Sequence, residues 1–139
     1  MEGPLNIVIV DAQGGGIGRQ LVAAVRQELP QSRIAAVGAN SAATAAMLKA
    51  GADRGATGEN AVVVACRRAD VILGPIGIVI ADAMLGEITP RMAAAVAQSG
   101  AKRILIPFDH CDNIIVGVPE TSMKSLVRQA VDTLLRITS

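Results

Sequence analysis

Short apolar runs alternate along this chain with segments whose apolar residues recur every three to four positions. The first run, residues 5–10, has the length of one strand, and the helical repeat that follows it is ended by Pro30. The runs at 7–10 and 71–73 contain no polar residue, as is typical of strands covered by helices on both faces. The alternation predicts βαβ units. We therefore expect a three-layer α/β/α Rossmann-like sandwich with a mainly parallel sheet.

About five strands are expected in this sheet. They are predicted at residues 5–10, 33–38, 70–73, 103–107 and 114–118. Because only a short polar loop separates the last two, the fifth strand is predicted to be antiparallel. Helices are predicted at residues 17–29, 41–50, 59–68, 81–85, 90–100 and 122–137. Thr57 and the Thr89-Pro90 pair are the expected starts of two of these helices.

The composition fits a single domain, residues 1–139, with a purely aliphatic core. Hydrophobic residues make up 51% of the chain, yet Phe108 is its only aromatic residue. The net charge is +1, and the chain has neither a basic stripe nor stacking aromatics, which argues against nucleic-acid binding. High apolar content with little net charge favours burial of a surface in a homo-oligomer.

The protein is expected to be cytoplasmic and not to associate with a membrane. Residues 1–4 lack the basic region of a signal peptide, and no apolar stretch approaches the roughly 18 residues of a membrane span. Cys66 and Cys111 form neither a metal-spaced pair nor a disulfide framework. No metal site is predicted.

The strongest functional signal is a glycine loop, residues 11–19, between the first strand and the first helix. Glycines let backbone N–H groups approach an anion, and the positive end of the following helix favours phosphate. The alternative is a tight turn without a ligand, but four glycines in five positions are costly in chain entropy. Binding is therefore favoured, through Gln13, Gly14, Gly15, Gly16, Ile17 and Gly18.

The spacing of the loop departs from G-x-G-x-x-G, because Arg19 stands where the third glycine is expected. The segment Gly16-Ile17-Gly18-Arg19 instead resembles the glycine segment of short-chain dehydrogenases/reductases, which implies NAD(P) or another nucleotide. That family has Thr and Gly where this chain has Asp11 and Ala12. A carboxylate at Asp11 would repel a phosphate unless Arg19, a loop N–H group or Mg²⁺ engages it. The chain has no Tyr, so the family's catalytic tyrosine is missing and a dehydrogenase of that kind is excluded.

Further loops are expected at the same edge of the sheet, because ligands bind outside the carboxyl ends of parallel strands. Asn40 and Ser41 follow the second strand, where Asn40 would either bind a ribose hydroxyl or cap the next helix. Gly74-Pro75-Ile76-Gly77 follows the next apolar run and would either admit a ligand or form a turn shaped by Pro75. Residues 54–60 would form either a second anion site or, as is favoured, a helix capped by Thr57.

The segment Asp109-His110-Cys111-Asp112 permits a metal or nucleophile interpretation, but a polar turn is the favoured one. His110 is the only histidine, so it is a candidate acid/base near neutral pH. Asp11 is the other candidate.

Taken whole, the chain resembles a bacterial family of short Rossmann-like proteins catalogued as a domain of unknown function. The matching segments are residues 13–18, 47–52, 54–60, 74–78 and 84–90. The resemblance implies the fold but no activity. The sequence therefore predicts first a module that binds a small phosphate-bearing molecule, most simply a nucleotide or dinucleotide. A small enzyme acting on a phosphorylated substrate comes second, and an oligomeric scaffold without a ligand comes third.

Overall fold

The computed structural model describes residues 4–108, 113–119 and 121–139. The strands are β1 (Asn6–Asp11), β2 (Arg33–Gly38), β3 (Arg54–Thr57), β4 (Val71–Pro75) and β5 (Lys102–Ile106). The helices are α1 (Gly16–Glu28), α2 (Ser41–Lys49), α3 (Glu59–Arg68), α4 (Pro90–Gln98) and α5 (Met123–Thr138), with a short 3₁₀ helix at Ile76–Val79.

The five strands form one sheet in the order β3-β2-β1-β4-β5, and all neighbouring pairs are parallel. In the sheet, β2 lies on one side of β1 and β4 lies on the other. The direction in which successive strands are added therefore reverses between β1 and β4. In open α/β sheets, ligands bind in the crevice at this point, outside the carboxyl ends of the strands. The glycine loop follows β1 and therefore lies at this crevice.

Helices cover both faces of the sheet, as predicted for a Rossmann-like α/β/α sandwich. Successive residues of β1 alternate between the two faces, with Ile7 and Ile9 in one core and Val8 and Val10 in the other. The first core is completed by α1, α2 and α5, and the second by α3, α4 and the 3₁₀ helix. Both cores are aliphatic, in agreement with the composition.

The prediction of an antiparallel fifth strand at residues 114–118 is wrong. No strand forms there, and Ile114 and Val116 are 88% and 93% exposed, so their alternation marks no buried face. The strand that completes the sheet is instead β3, within residues 54–60, where we predicted a helix start or an anion site. β3 pairs with β2 at the sheet edge, and all four of its residues are exposed.

Most helix predictions are confirmed, and two local ones are wrong. Thr89 caps α4 by accepting the N–H of Met92 at 3.1 Å. Thr57 does not cap α3, because Gly58 is the N-cap and the Thr57 hydroxyl lies 2.8 Å from that of Thr44. Residues 81–85 form turns rather than a helix. Within the described ranges, no helix has both the length and the apolar character of a membrane span.

Candidate functional site

A cleft of about 290 Å³ opens at the crevice between β1 and β4. One side of it is the glycine loop, with Gln13, Gly14 and Gly16. The other side is apolar and is formed at the same edge of the sheet by Pro75, Met84, Phe108 and Met123. The cleft thus combines backbone donors on one wall with an apolar opposite wall, as is usual for small-molecule sites.

Two glycines of the loop are required by the fold itself. Gly15 has φ +72°, in the left-handed region that disfavours residues with side chains, and a Cβ there would lie 3.0 Å from the Cα of Ala43. A Cβ on Gly18 would lie 2.6 Å from the sulfur of Met47 and 2.9 Å from the Cβ of Asp11. Gly15 therefore shapes the turn, and Gly18 lets α1 pack against β1 and α2.

The other two glycines, Gly14 and Gly16, are not required by the fold. Neither has a positive φ, and a Cβ at either position would meet no atom within 4 Å. Both line the cleft. In the described part of the chain, the backbone N–H groups of Gly14 and Gly16 donate to no acceptor. The loop therefore presents bare backbone to the cleft at the two positions where a side chain would otherwise fit.

The side chain of Asp11, the last residue of β1, lies at the N-terminus of α1. Its Oδ2 accepts the N–H of Gly18 at 2.6 Å, and its Oδ1 accepts the N–H of Ala12 at 2.8 Å. Arg19, one alternative considered for this carboxylate, is exposed and makes no ion pair in the described ranges. Backbone N–H groups, one of the three alternatives considered for this carboxylate, are thus what engages it.

The pKa of Asp11 is set by two opposing effects. The residue is only 3% exposed, and burial raises the pKa of its carboxyl above the ordinary value of 3.8. Hydrogen bonds from the N–H groups of Gly18, Ala12 and Ile17 lower it in part, and the charge of Glu87 adds to the rise. The pKa rises overall because burial is the largest of these effects.

A carboxylate that the sequence analysis missed, Glu87, holds the outer edge of the loop. Its Oε1 accepts the N–H of Gln13 at 2.9 Å and the side-chain amide of Asn40 at 2.7 Å. The Asn40 amide also donates to the Gln13 carbonyl at 2.9 Å, while its Oδ1 caps α2 through the N–H of Ala43. The capping alternative for Asn40 is confirmed, and a ribose contact would have to replace these bonds.

Glu87 belongs to a segment of unusual backbone. Asp82, Met84 and Leu85 have φ of +66°, +56° and +58°, a region that residues with a Cβ rarely adopt. Hydrogen bonds between Asp82 and Ile88 at 2.7 Å and between Ile88 and Ala83 at 3.2 Å close the segment on itself. The turn places Met84 in the cleft and Glu87 on Gln13.

Of the remaining predicted site residues that the structure describes, one lines the cleft and the others do not. Pro75 lines the cleft. A Cβ on Gly74 would collide with the carbonyl oxygen of Val10, so close packing accounts for this glycine. A Cβ on Gly77 would lie 3.0 Å from the terminal methyl of Met84, a flexible side chain that can shift. Ile76 begins the 3₁₀ helix, and Ser41 is the exposed first residue of α2.

The segment 109–112, with His110, lies outside the described residues. Its predicted role as an acid/base or a turn stays a prediction. Among the residues that the structure does describe, no three His, Cys, Asp or Glu side chains come together as a metal site.

The parallel sheet in the order 3-2-1-4-5, with a glycine loop at its switch point, defines the chain as a Rossmann-like α/β protein. Its sequence matches the family model of a domain of unknown function, DUF3842, over residues 6–139. The chain belongs to this family, and the predicted resemblance to a domain of unknown function is confirmed. No curated protein matches the chain.

Proposed function

We propose that the chain binds a phosphate-bearing ligand, most simply a nucleotide or dinucleotide such as NAD(P), in the cleft beside the glycine loop. The observation that carries this proposal is the bare backbone at Gly14 and Gly16, where neither packing nor conformation calls for glycine. A ligand in contact with the main chain is a physical reason to exclude a Cβ there. Donor N–H groups beside the N-terminus of α1 favour a phosphate in that position.

The proposed phosphate position is the outer side of the turn. Gly18 already donates to Asp11, so the inner side of the helix N-terminus is occupied by a carboxylate of the chain itself. A phosphate would therefore be held by Gly14 and Gly16, with the apolar wall at Met84 and Phe108 beside the rest of the ligand.

The enzymatic alternative assigns acid/base chemistry to Asp11 or His110. Both oxygens of Asp11 accept backbone N–H groups, which favours a structural role in holding the turn. We therefore place ligand binding ahead of catalysis.

The scaffold alternative has its own supporting observation. Leu85, Ile114 and Val116 are between 88% and 96% exposed, and large apolar side chains left in water favour burial against another copy of the chain. Light scattering over a concentration series tests the homo-oligomer, and it does so independently of ligand binding.

A thermal-shift screen tests the proposed function. The ligands are NAD, NADP, ATP, GTP, flavins, coenzyme A and phosphosugars, each with and without Mg²⁺. A ligand that binds the native state at about 100 times its Kd adds roughly 2.7 kcal/mol to the free energy of unfolding, so Tm rises with concentration. Gly16→Val should abolish the rise and leave the unliganded Tm within a few degrees, since its Cβ meets no atom. Absence of any shift would favour the scaffold, and an equal shift in Gly16→Val would place the site elsewhere.

A further inference from the structure

A second groove, of about 500 Å³, lies between α3 and the sheet face formed by β2 and β3. It shares no lining residue with the glycine-loop cleft. The helices on this face pack over the centre of the sheet, and β3 at the edge remains exposed beside them. The groove is the space left between α3 and the exposed edge strand β3.

The floor and the helix wall of this groove are built from small side chains. Ala35 and Val37 alternate onto the groove face of β2, and Ala56 of β3 lies beside them. On α3, Ala61 and Ala65 have the spacing of one helical face, with Val64 next to them. Short methyl side chains leave an apolar channel rather than a filled interface.

Three arginines stand at one end of the channel. Arg33 and Arg54 are the first residues of β2 and β3, and Arg68 is the last residue of α3. A helix that joins two parallel strands runs back along them, so its C-terminus reaches the amino edge of the sheet. All three arginines therefore lie at that edge, opposite the glycine loop, and all three line the groove.

These arginines form no ion pair in the described ranges, although the charge of Arg54 helps to lower the pKa of the neighbouring Asp53. The ion pairs of the described residues involve Arg26, Arg91 and Arg128 instead. The described lining of the groove includes no Asp or Glu. Against a net charge of +1 for the whole chain, three cations at one end of an apolar channel form a marked local imbalance.

We propose that this groove binds a small anionic amphiphile, an apolar acid whose carboxylate or phosphate group contacts Arg33, Arg54 and Arg68 while its hydrocarbon part lies on the alanine floor. Guanidinium groups form forked, charge-assisted hydrogen bonds with such head groups. The volume falls in the range of roughly 300–1,000 Å³ typical of ligand sites. A second copy of the chain is a poorer occupant, because pairing this face with itself would add arginines to a groove without acidic side chains.

Calorimetric titration with decanoate and with decyl phosphate, both below their micellar concentrations, tests the site on the full chain. Both share the apolar tail, so their relative affinities identify the preferred head group. Saturable binding of at least one is expected, and Arg54→Gln and Arg68→Gln should each weaken it about tenfold. Arg67→Gln is the matched control, since this exposed neighbour does not line the groove and should bind as the wild type does.

Two further readouts make the outcome decisive. In amide NMR spectra, decanoate should shift Gly55, Ala56 and Ala65, and Gly16→Val should leave those shifts unchanged. Equal binding of decyltrimethylammonium, equal binding by Arg54→Gln and Arg68→Gln, or shifts confined to Gly14 and Gly16 would overturn the proposal. A stable dimer in which the groove amides are protected from exchange would also overturn it, because the occupant would then be a second copy.

Discussion

The carboxylate of Asp11 accepts a hydrogen bond from the backbone N–H of Gly18, with 2.6 Å between Oδ2 and the nitrogen. The bond ties the last residue of β1 to the third residue of α1, across the glycine loop. The Asp11 carboxylate thus occupies the positive end of the helix dipole, where an anion from outside the chain would otherwise bind. A ligand at this loop is therefore left with the outer donors, at Gly14 and Gly16.

Asp11→Asn tests the opposing effects on this carboxyl. At pH 4 the protonated carboxyl keeps acceptor capacity on both oxygens, whereas the amide places an NH2 group opposite one of the two backbone N–H groups, so we expect a loss of about 1–3 kcal/mol in the free energy of unfolding. Because the pKa of Asp11 is raised above 3.8, its contribution to stability is complete below that value and is lost as pH rises through the folded-state pKa. The advantage of the wild type should therefore shrink from pH 4 to pH 8. Urea unfolding across this range measures it, and an advantage that grows with pH would contradict the assignment.

Gly18→Ala tests the close packing of α1. Its Cβ would lie within 3.0 Å of Met47 and of Asp11, so we expect a loss of about 1–3 kcal/mol despite the better helix propensity of alanine. Gly16→Ala is the matched control and should change the free energy of unfolding by no more than about 0.5 kcal/mol. Urea midpoints compare the two variants. A stabilised Gly18→Ala would show that the helix does not approach the strand this closely.

Glu87→Ala tests the bond network at the outer edge of the loop. The N–H of Gln13 loses its acceptor and the Asn40 amide loses one of its two, and because water reaches these bonds, a loss of about 0.5–1.5 kcal/mol in the free energy of unfolding is expected. Hydrogen exchange at the Gln13 amide should speed up in the same variant. Glu87→Gln retains an acceptor oxygen and should behave much more like the wild type. If Glu87→Ala exchanges and unfolds as the wild type does, these bonds do not hold the loop.

Cys66 is expected to be chemically inert in the folded protein. It is 3% exposed, and burial raises the pKa of its thiol to about 11 from the ordinary value of 9.0. Two pKa units reduce the thiolate fraction at pH 8 roughly 100-fold, and the thiolate is the reactive form. In a Cys111→Ser variant, iodoacetamide should modify Cys66 at least that much more slowly than in the urea-unfolded chain. Comparable rates in the two states would mean that the thiol is accessible.

Local signals explain which elements the sequence predicted. β1 carries its apolar run within six residues, and α4 begins with a Thr-Pro pair whose capping bond spans three positions. β3 has no apolar run, and its place is set by pairing with β2. Residues 114–118 have the alternation of a strand but form no strand in the described structure.

The candidate site likewise combines a feature that local sequence predicts with contacts that it does not predict. The glycine loop is contiguous in sequence and was predicted as a unit. Its contact with Glu87 joins residues 74 positions apart, and no spacing rule connects them. The packing reasons for Gly15 and Gly18 also depend on α2, so the sequence could not separate these two glycines from Gly14 and Gly16.

An amide NMR titration of the full chain tests the central claim most directly. The probes are ADP and NAD, with inorganic pyrophosphate as the minimal ligand and adenosine as the control without phosphate. We predict saturable shifts at the amides of Gly14 and Gly16 with at least one phosphate-bearing probe, no such shifts with adenosine, and an undisturbed hydrogen bond from Gly18 to Asp11. Amides at Gly14 and Gly16 that stay in place with every phosphate-bearing probe would contradict the claim that this loop holds a phosphate.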